Sequence, residues 1–225
     1  MTIRQKSAAF SYPRLGFSYD AGDGLDVIVD GQESIAYVAP DAEVASRLEA
    51  KRKQEHQQKA RLKELHGKPS TTQDGRKIKL YAIIGSQADV GAVLQNDAEG
   101  IGLFRSEFLY LQSKDYPTEE TLMSACKTAA ETMAGKPVII RTLDIGADKQ
   151  VDYFKLPAEE NPAMSLRAIR ICLTRPEIFR TQLRALYRAS AFGEIAIMFP
   201  MINSLWEVQE IKKLAMQGSH DVVFV

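Results

Sequence analysis

The sequence predicts an α/β fold built on a parallel sheet, and three observations carry that reading. Beyond residue 68, short apolar runs alternate with longer amphipathic stretches, the rhythm of repeated βα units. Those runs are near-continuously apolar, as expected of strands in a parallel sheet covered by helices. With 225 residues, 45% of them hydrophobic and 26% charged, the chain can bury one large core or one domain plus an appendage. Two architectures satisfy the pattern, an open doubly wound sheet and a (β/α)8 barrel.

Residues 1–40 hold two short strand-like runs, LDVIVDG and SIAYVAP, joined across Asp30-Gly31, a dipeptide suited to a hairpin turn. Residues 41–68 read as one long helix. Asp41 can cap it, Ala, Glu, Lys, Gln, Arg and Leu fill it, and Gly67 ends it. Its apolar stripe is thin, passing through Val44, Leu48, Leu62 and Leu65, the pattern of a helix that bridges between domains. Residues 69–225 carry the alternating rhythm. Strands are expected at 78–84, 102–104, 138–141 and 195–199, with helices near 87–96, 119–134, 177–190 and 205–216. The terminal DVVFV reads as one more strand.

Several function classes are disfavoured at once. The 29 basic and 29 acidic side chains cancel, so no overall field recommends a nucleic acid or an anionic membrane as partner, and any anion site must be local. No apolar run approaches the ~18 residues of a membrane span, nor does one precede a cleavage site near the N-terminus. The expectation is a cytoplasmic protein. Cys126 and Cys172 each lie in an amphipathic segment and read as reduced thiols rather than a disulfide. His56 and His66 on the polar helix, and His220 in QGSHD, read as surface residues. No metal-ligand spacing, nucleotide-binding glycine loop or serine-histidine-acid arrangement emerges.

Two arginines break the apolar rhythm. EGIGLFRSEFLY places Arg105, and KPVIIRTLDIGADK places Arg141, each where a strand ends. In both candidate architectures ligands sit at the carboxyl ends of the strands. A guanidinium presents a rigid fork of donors matched to carboxylate or phosphate and stays charged at physiological pH, so two forks converging there would hold a small polyanion. The plainer alternative pairs each arginine with a neighbouring acid, Glu107 or Asp144. DIGADK adds Asp144, Asp148 and Lys149, with Lys149 as a compact charge for a phosphate and the aspartates orienting the cations. SLRAIRICLTR sets Arg167 and Arg170 three apart on a short helix, where they share a face. A solvated helix face is the plain alternative there.

Five segments, AEGIGLFRSEFLY, IIRTLDIGADK, ENPAMSLRAIR, RTQLRALYRASAFGEIAIMFPMI and SLWEVQEIKK, closely resemble in order and spacing the phosphoenolpyruvate-protein phosphotransferases, enzyme I of the bacterial sugar phosphotransferase system. The likeness runs from Gly24 to Lys213. Pyruvate phosphate dikinase and phosphoenolpyruvate synthase share the general plan, but RTLDIGADK has the enzyme I form. The resemblance implies that residues 69–225 are the N-terminal half of a phosphoenolpyruvate-binding (β/α)8 TIM barrel, about its first four to five βα units. It makes 41–68 the linker helix and 1–40 the tail of the swivelling phosphohistidine domain. Arg105 and Arg141 then correspond to the arginines that grip the phosphate of phosphoenolpyruvate, with Arg167 and Lys149 around the same anion. The implied reaction passes a phosphoryl group to a histidine and on to the phosphocarrier protein. Ser106 stands where the family usually has threonine, and Ala147 and Ser165 stand where glycine is common.

Magnesium is the cofactor the resemblance implies, yet the acidic residues that hold it in the family have no counterpart in this sequence, nor does the TSH motif of the phosphorylated histidine. No catalytic residue is assigned, and the isolated chain is expected to be inactive in phosphotransfer. Because a whole barrel takes roughly 250 residues, half of one is expected to expose strand edges and to associate as a homo-oligomer. An alternative from another class is a non-catalytic remnant or interaction module that binds anions or another subunit. A barrel enzyme of the aldolase or pyruvate kinase kind ranks below both, since its strands would carry metal ligands that these lack.

Overall fold

A computed structural model describes residues 24–146, 151–157, 160–161, 164 and 166–218. The chain divides into two compact units, one ending at His66 and the other beginning at Gly67. The terminal DVVFV lies outside the described residues.

In the first unit, β1 (Val27–Asp30) pairs antiparallel with β2 (Ile35–Val38). The turn is longer than the dipeptide suggests. Asp30 faces Ile35 in register, so residues 31–34 all belong to the loop, and its positive φ of 56° falls on Ser34. The Asp30 carboxylate explains this by accepting from the amides of Gln32 at 3.1 Å and Glu33 at 3.2 Å, which folds the chain locally. Helix α1 (Ala42–Lys63) starts where Asp41 accepts from the Val44 amide at 2.7 Å, and it ends at Lys63 rather than running on to 68. Of its apolar stripe Leu48 is buried, while Leu62 and Leu65 are exposed. The helix therefore rests on strong formers and on pairs such as Lys51 with Asp30, 2.6 Å apart.

The second unit contains β3 (Tyr81–Ile84), α2 (Val90–Gln95), β4 (Gly100–Arg105), α3 (Glu107–Leu111), α4 (Glu119–Met133), β5 (Val138–Arg141), α5 (Ile169–Thr174), α6 (Pro176–Ser190), β6 (Ile195–Met198) and α7 (Leu205–Gly218). The four strands form one parallel sheet in chain order, β3-β4-β5-β6. Right-handed crossovers between strands that never reverse direction along the sheet put successive helices on one face. That face is dry: Ile84, Ile101, Phe104, Val138 and Ile140 pack with Val93, Cys126, Met133 and Leu186. The opposite face is open, with Ile83 69% exposed. The expectation of a sheet covered by helices thus holds on one side of the described residues, which is compatible with part of an α/β barrel.

Local sequence explains the helices that carry this face. Thr118 accepts from the Thr121 amide at 3.2 Å, Glu119 and Glu120 fill the first turn of α4, and Ala134 and Gly135 close it with φ of 50° and 86°. Its buried Leu122, Cys126, Ala129 and Met133 repeat at helical spacing. Pro176 opens α6, whose Phe179, Leu183, Leu186 and Ala189 do the same. Two differences from the sequence expectation stand out: α3 is an additional helix, and β3 begins at Tyr81 rather than at residue 78.

The register of β4 is irregular against both neighbours. Ala82 faces Ile101 while Ile83 faces Leu103, so Gly102 is skipped, and the pairing with β5 shifts between Ile101 and Phe104. This is a bulge, and glycine suits it because a Cβ at Gly102 would lie 2.9 Å from Cβ of Tyr81.

Candidate anion-binding site

Beyond the bulge, Arg105 and Arg141 face each other in register as the last residues of adjacent parallel strands. Residues so paired project from the same face about 5 Å apart, and like charges there repel. The chain supplies the counter-charge two residues on. Glu107, fully buried at the start of α3, receives Nε of Arg105 at 3.2 Å and Nη2 of Arg141 at 2.5 Å on one oxygen. Nη1 of Arg141 reaches Asp144 at 3.0 Å, and the other oxygen of Asp144 accepts from Nη2 of Arg167 at 3.1 Å.

The result is a continuous chain, Arg105, Glu107, Arg141, Asp144, Arg167. Within these five described residues, three guanidiniums stand against two carboxylates. Side-chain exposure falls along it, from 34% at Arg105 through 17% at Arg141 to 10% at Arg167, so Arg105 marks its open end. There the guanidinium also lies over the Phe108 ring, 4.6 Å from its centroid. Among the described residues, Nε of Arg141 and the Thr142 hydroxyl are buried without a hydrogen-bond partner. Buried donors at the end of a strand are groups that an anion could satisfy.

Three of the four expected site residues are therefore brought together, while Lys149, like Asp148, lies outside the described residues. The plain pairing with Glu107 and Asp144 is present as well, and it organises the cations without cancelling them. One expectation is corrected. Arg167 and Arg170 do not share a helix face, because α5 begins only at Ile169 and Ala168 turns the chain with φ of 49°. Arg167 is buried against Asp144, while Arg170 donates to the Met164 carbonyl at 2.6 Å. His56 and His66 are exposed, and His220 is outside the described residues. Both cysteines are free and buried, and desolvation pushes each thiol up to about 12, so neither is a nucleophile here.

Sequence reasoning missed two polar residues beneath the arginines, Ser106 and Gln182, both almost fully buried. A signal existed for the second: Gln182 interrupts the apolar face that Phe179, Leu183 and Leu186 define on α6. The described residues contain no group of three or more acidic, histidine or cysteine side chains suited to a metal ion. Glu107 and Asp144, the carboxylates nearest the arginines, already bind guanidiniums, so the described residues do not fit a magnesium site. No described helix is long and apolar enough to cross a membrane.

Comparison with known proteins shows the family. The family described as "PEP-utilising enzyme, PEP-binding domain" matches residues 59–223. The chain is 45% identical to a phosphoenolpyruvate-protein phosphotransferase of Bacillus subtilis over 201 residues, covering 89% of this chain and 35% of that protein. Phosphoenolpyruvate-protein phosphotransferases of Staphylococcus carnosus, at 46% identity, and Geobacillus stearothermophilus, at 47%, each align over 87% of this chain and 34% of theirs. The chain thus spans about a third of the length of these relatives.

Proposed function

Because this chain belongs to the PEP-utilising enzymes through their PEP-binding domain, we propose that it is the substrate-binding part of a phosphoenolpyruvate-protein phosphotransferase. In this reading residues 69–225 form the first half of a TIM barrel, 41–68 the linker helix and 1–40 the tail of the phosphohistidine domain. The whole protein moves a phosphoryl group from phosphoenolpyruvate through a histidine to a phosphocarrier protein, in cytoplasmic sugar uptake. Strand order without reversal and a sheet covered on one face support the barrel over a doubly wound sheet.

The observation that carries the proposal is the register pairing of Arg105 with Arg141, tied through Asp144 to Arg167. Arg105 and Arg141 grip the phosphate, and Arg167 and Lys149 complete the cationic surround. Phosphoryl transfer needs positioning and charge neutralisation more than covalent chemistry, and guanidiniums held by buried carboxylates supply both without reorganising. Magnesium supplies further neutralisation of phosphate charge when bound, but the described residues do not fit it and no step runs through it.

Calorimetric titration of phosphoenolpyruvate into the purified chain, with and without magnesium, tests this beside Arg141→Ala. Binding without magnesium that the variant loses supports the reading, whereas no heat at millimolar ligand rejects it. A second reading, an interaction module that joins a further subunit or a second copy, draws on the open face at Ile83. Sedimentation velocity tests its second-copy form, which a monomer at all concentrations removes.

A further inference from the structure

Beneath the two strand-end arginines lies a buried polar relay with no part in binding an anion directly. Gln182 on α6 donates from Nε2 to the Ser106 hydroxyl at 3.0 Å, and its Oε1 accepts from the Leu143 amide at 3.0 Å. The Ser106 hydroxyl, its lone pair thus engaged, donates onward to the Arg141 carbonyl at 2.6 Å. Every direction in the relay is fixed: an amide nitrogen must donate to the hydroxyl, and a carbonyl can only accept from it. Gln182 and Ser106 are 2% and 1% exposed, so water cannot replace either contact without opening the core.

The relay sits where the backbone ladder runs out. Ser106 follows Arg105 directly, and Leu143 lies two residues beyond Arg141, so one glutamine spans the exits of β4 and β5. Strand exits are where loops gain freedom, and there an error of about 1 Å in a binding group can cost 10²-fold. Leu143 also leads into Asp144, the carboxylate that holds both Arg141 and Arg167. A single side chain on a helix is therefore tied to the residues that follow Arg105 and Arg141, and Asp144 extends the tie to Arg167.

We propose that Gln182 and Ser106 are positioning residues that hold Arg105, Arg141 and, through Asp144, Arg167 in the spacing a phosphate requires. The inference rests on the phosphoenolpyruvate-binding reading, and its test separates the two. Gln182→Met keeps the volume and removes both hydrogen bonds, Ser106→Ala removes the hydroxyl, and Ser106→Thr restores it. Leu183→Ala is the control: it sits beside Gln182 in the core of α6 and makes none of these contacts.

With the full chain and phosphoenolpyruvate as probe, Gln182→Met and Ser106→Ala are expected to raise Kd about tenfold while circular dichroism shows them folded. Ser106→Thr is expected to return within about threefold of wild type, and Leu183→Ala to lower Tm with Kd unchanged. Unchanged Kd in folded Gln182→Met, or an equal loss in Leu183→Ala, overturns the proposal. If wild type binds no phosphoenolpyruvate, the functional reading fails. The relay is then judged by amide hydrogen exchange, where Leu143 is expected to lose at least tenfold protection in both Gln182→Met and Ser106→Ala, and retained protection overturns it. Should Gln182→Met fail to fold, Ser106→Ala decides by the same measurements.

Discussion

Replacing Glu107 by glutamine should weaken the fold and strengthen the site, because one buried carboxylate holds two like charges together. Both arginine contacts fall on Oε1, so glutamine can keep an acceptor there but loses the charge assistance on each bond. Hydrogen bonds to charged groups contribute about 1.5–3 kcal/mol against ~1 for neutral ones, which puts the combined loss near 2 kcal/mol. Repulsion between the in-register guanidiniums adds about 1 kcal/mol, discounted because the Arg105 side chain is one-third exposed. The sum, ~3 kcal/mol, meets the low end expected for breaking a buried pair, and at about 2–4 °C per kcal/mol it lowers Tm by roughly 6–12 °C. The site itself gains a positive charge. An anion about 6 Å from the lost carboxylate would gain up to ~3 kcal/mol at an effective dielectric near 20, and screening leaves enough for at least about fivefold tighter phosphate binding. Thermal melts with increasing inorganic phosphate should therefore start lower for Glu107→Gln and rise more steeply than for wild type. Parallel curves, or a Tm equal to that of wild type, would refute the idea that Glu107 balances the arginines.

Three further outcomes follow from particular contacts. Gly102→Ala drives a Cβ to 2.9 Å from Cβ of Tyr81, so we expect about 1–3 kcal/mol of destabilisation in chemical denaturation and weaker phosphoenolpyruvate binding, since Arg105 lies just downstream. Cys126 and Cys172, with thiols raised to about 12 by burial, should resist a disulfide reagent at pH 8, where the thiolate fraction is on the order of 10⁻⁴, and both should react once the chain is denatured. Glu207 is held below the usual carboxylate range chiefly by the Asn203 amide, with the Ser204 amide adding to it at 2.9 Å. A depressed carboxyl contributes stability above its unfolded value and loses it as pH falls through the folded one. Glu207→Gln should accordingly cost about 1 kcal/mol at pH 7, and the difference from wild type should vanish on acidification below the carboxylate range.

What the sequence made legible was whatever depends on local chemistry. The order of strands and helices followed from apolar runs and amphipathic spacing, and α4 and α6 lie within a residue of the stretches expected at 119–134 and 177–190. The two strand-end arginines stood out because a guanidinium is costly where Val138 to Ile140 are apolar. Non-local geometry was not legible. Arg167 looked like part of a helix face, and it took the positive φ of Ala168 to turn it toward Asp144, 23 residues earlier in the chain. Gln182 lies 76 residues from Ser106, and no pattern in either neighbourhood says that they meet.

The bulge at Gly102 shows why such a site cannot be read from spacing alone. Ile101 faces Val138, an offset of 37, whereas Arg105 faces Arg141, an offset of 36, and the one-residue change lies between Ile101 and Phe104. Had the first register continued, Arg105 would stand opposite Thr142, with Arg141 opposite Phe104 and its side chain alternating to the other face. A strand position shared by two arginines in the sequence would then have been no site. The extra residue in β4 converts that coincidence into a pair, and the glycine that permits it does so because Tyr81 leaves no room for a side chain. The register of Arg105 and Arg141 thus depends on a close approach between β4 and Tyr81 of β3, and substitutions at Tyr81 bear on the anion site along with those at the arginines.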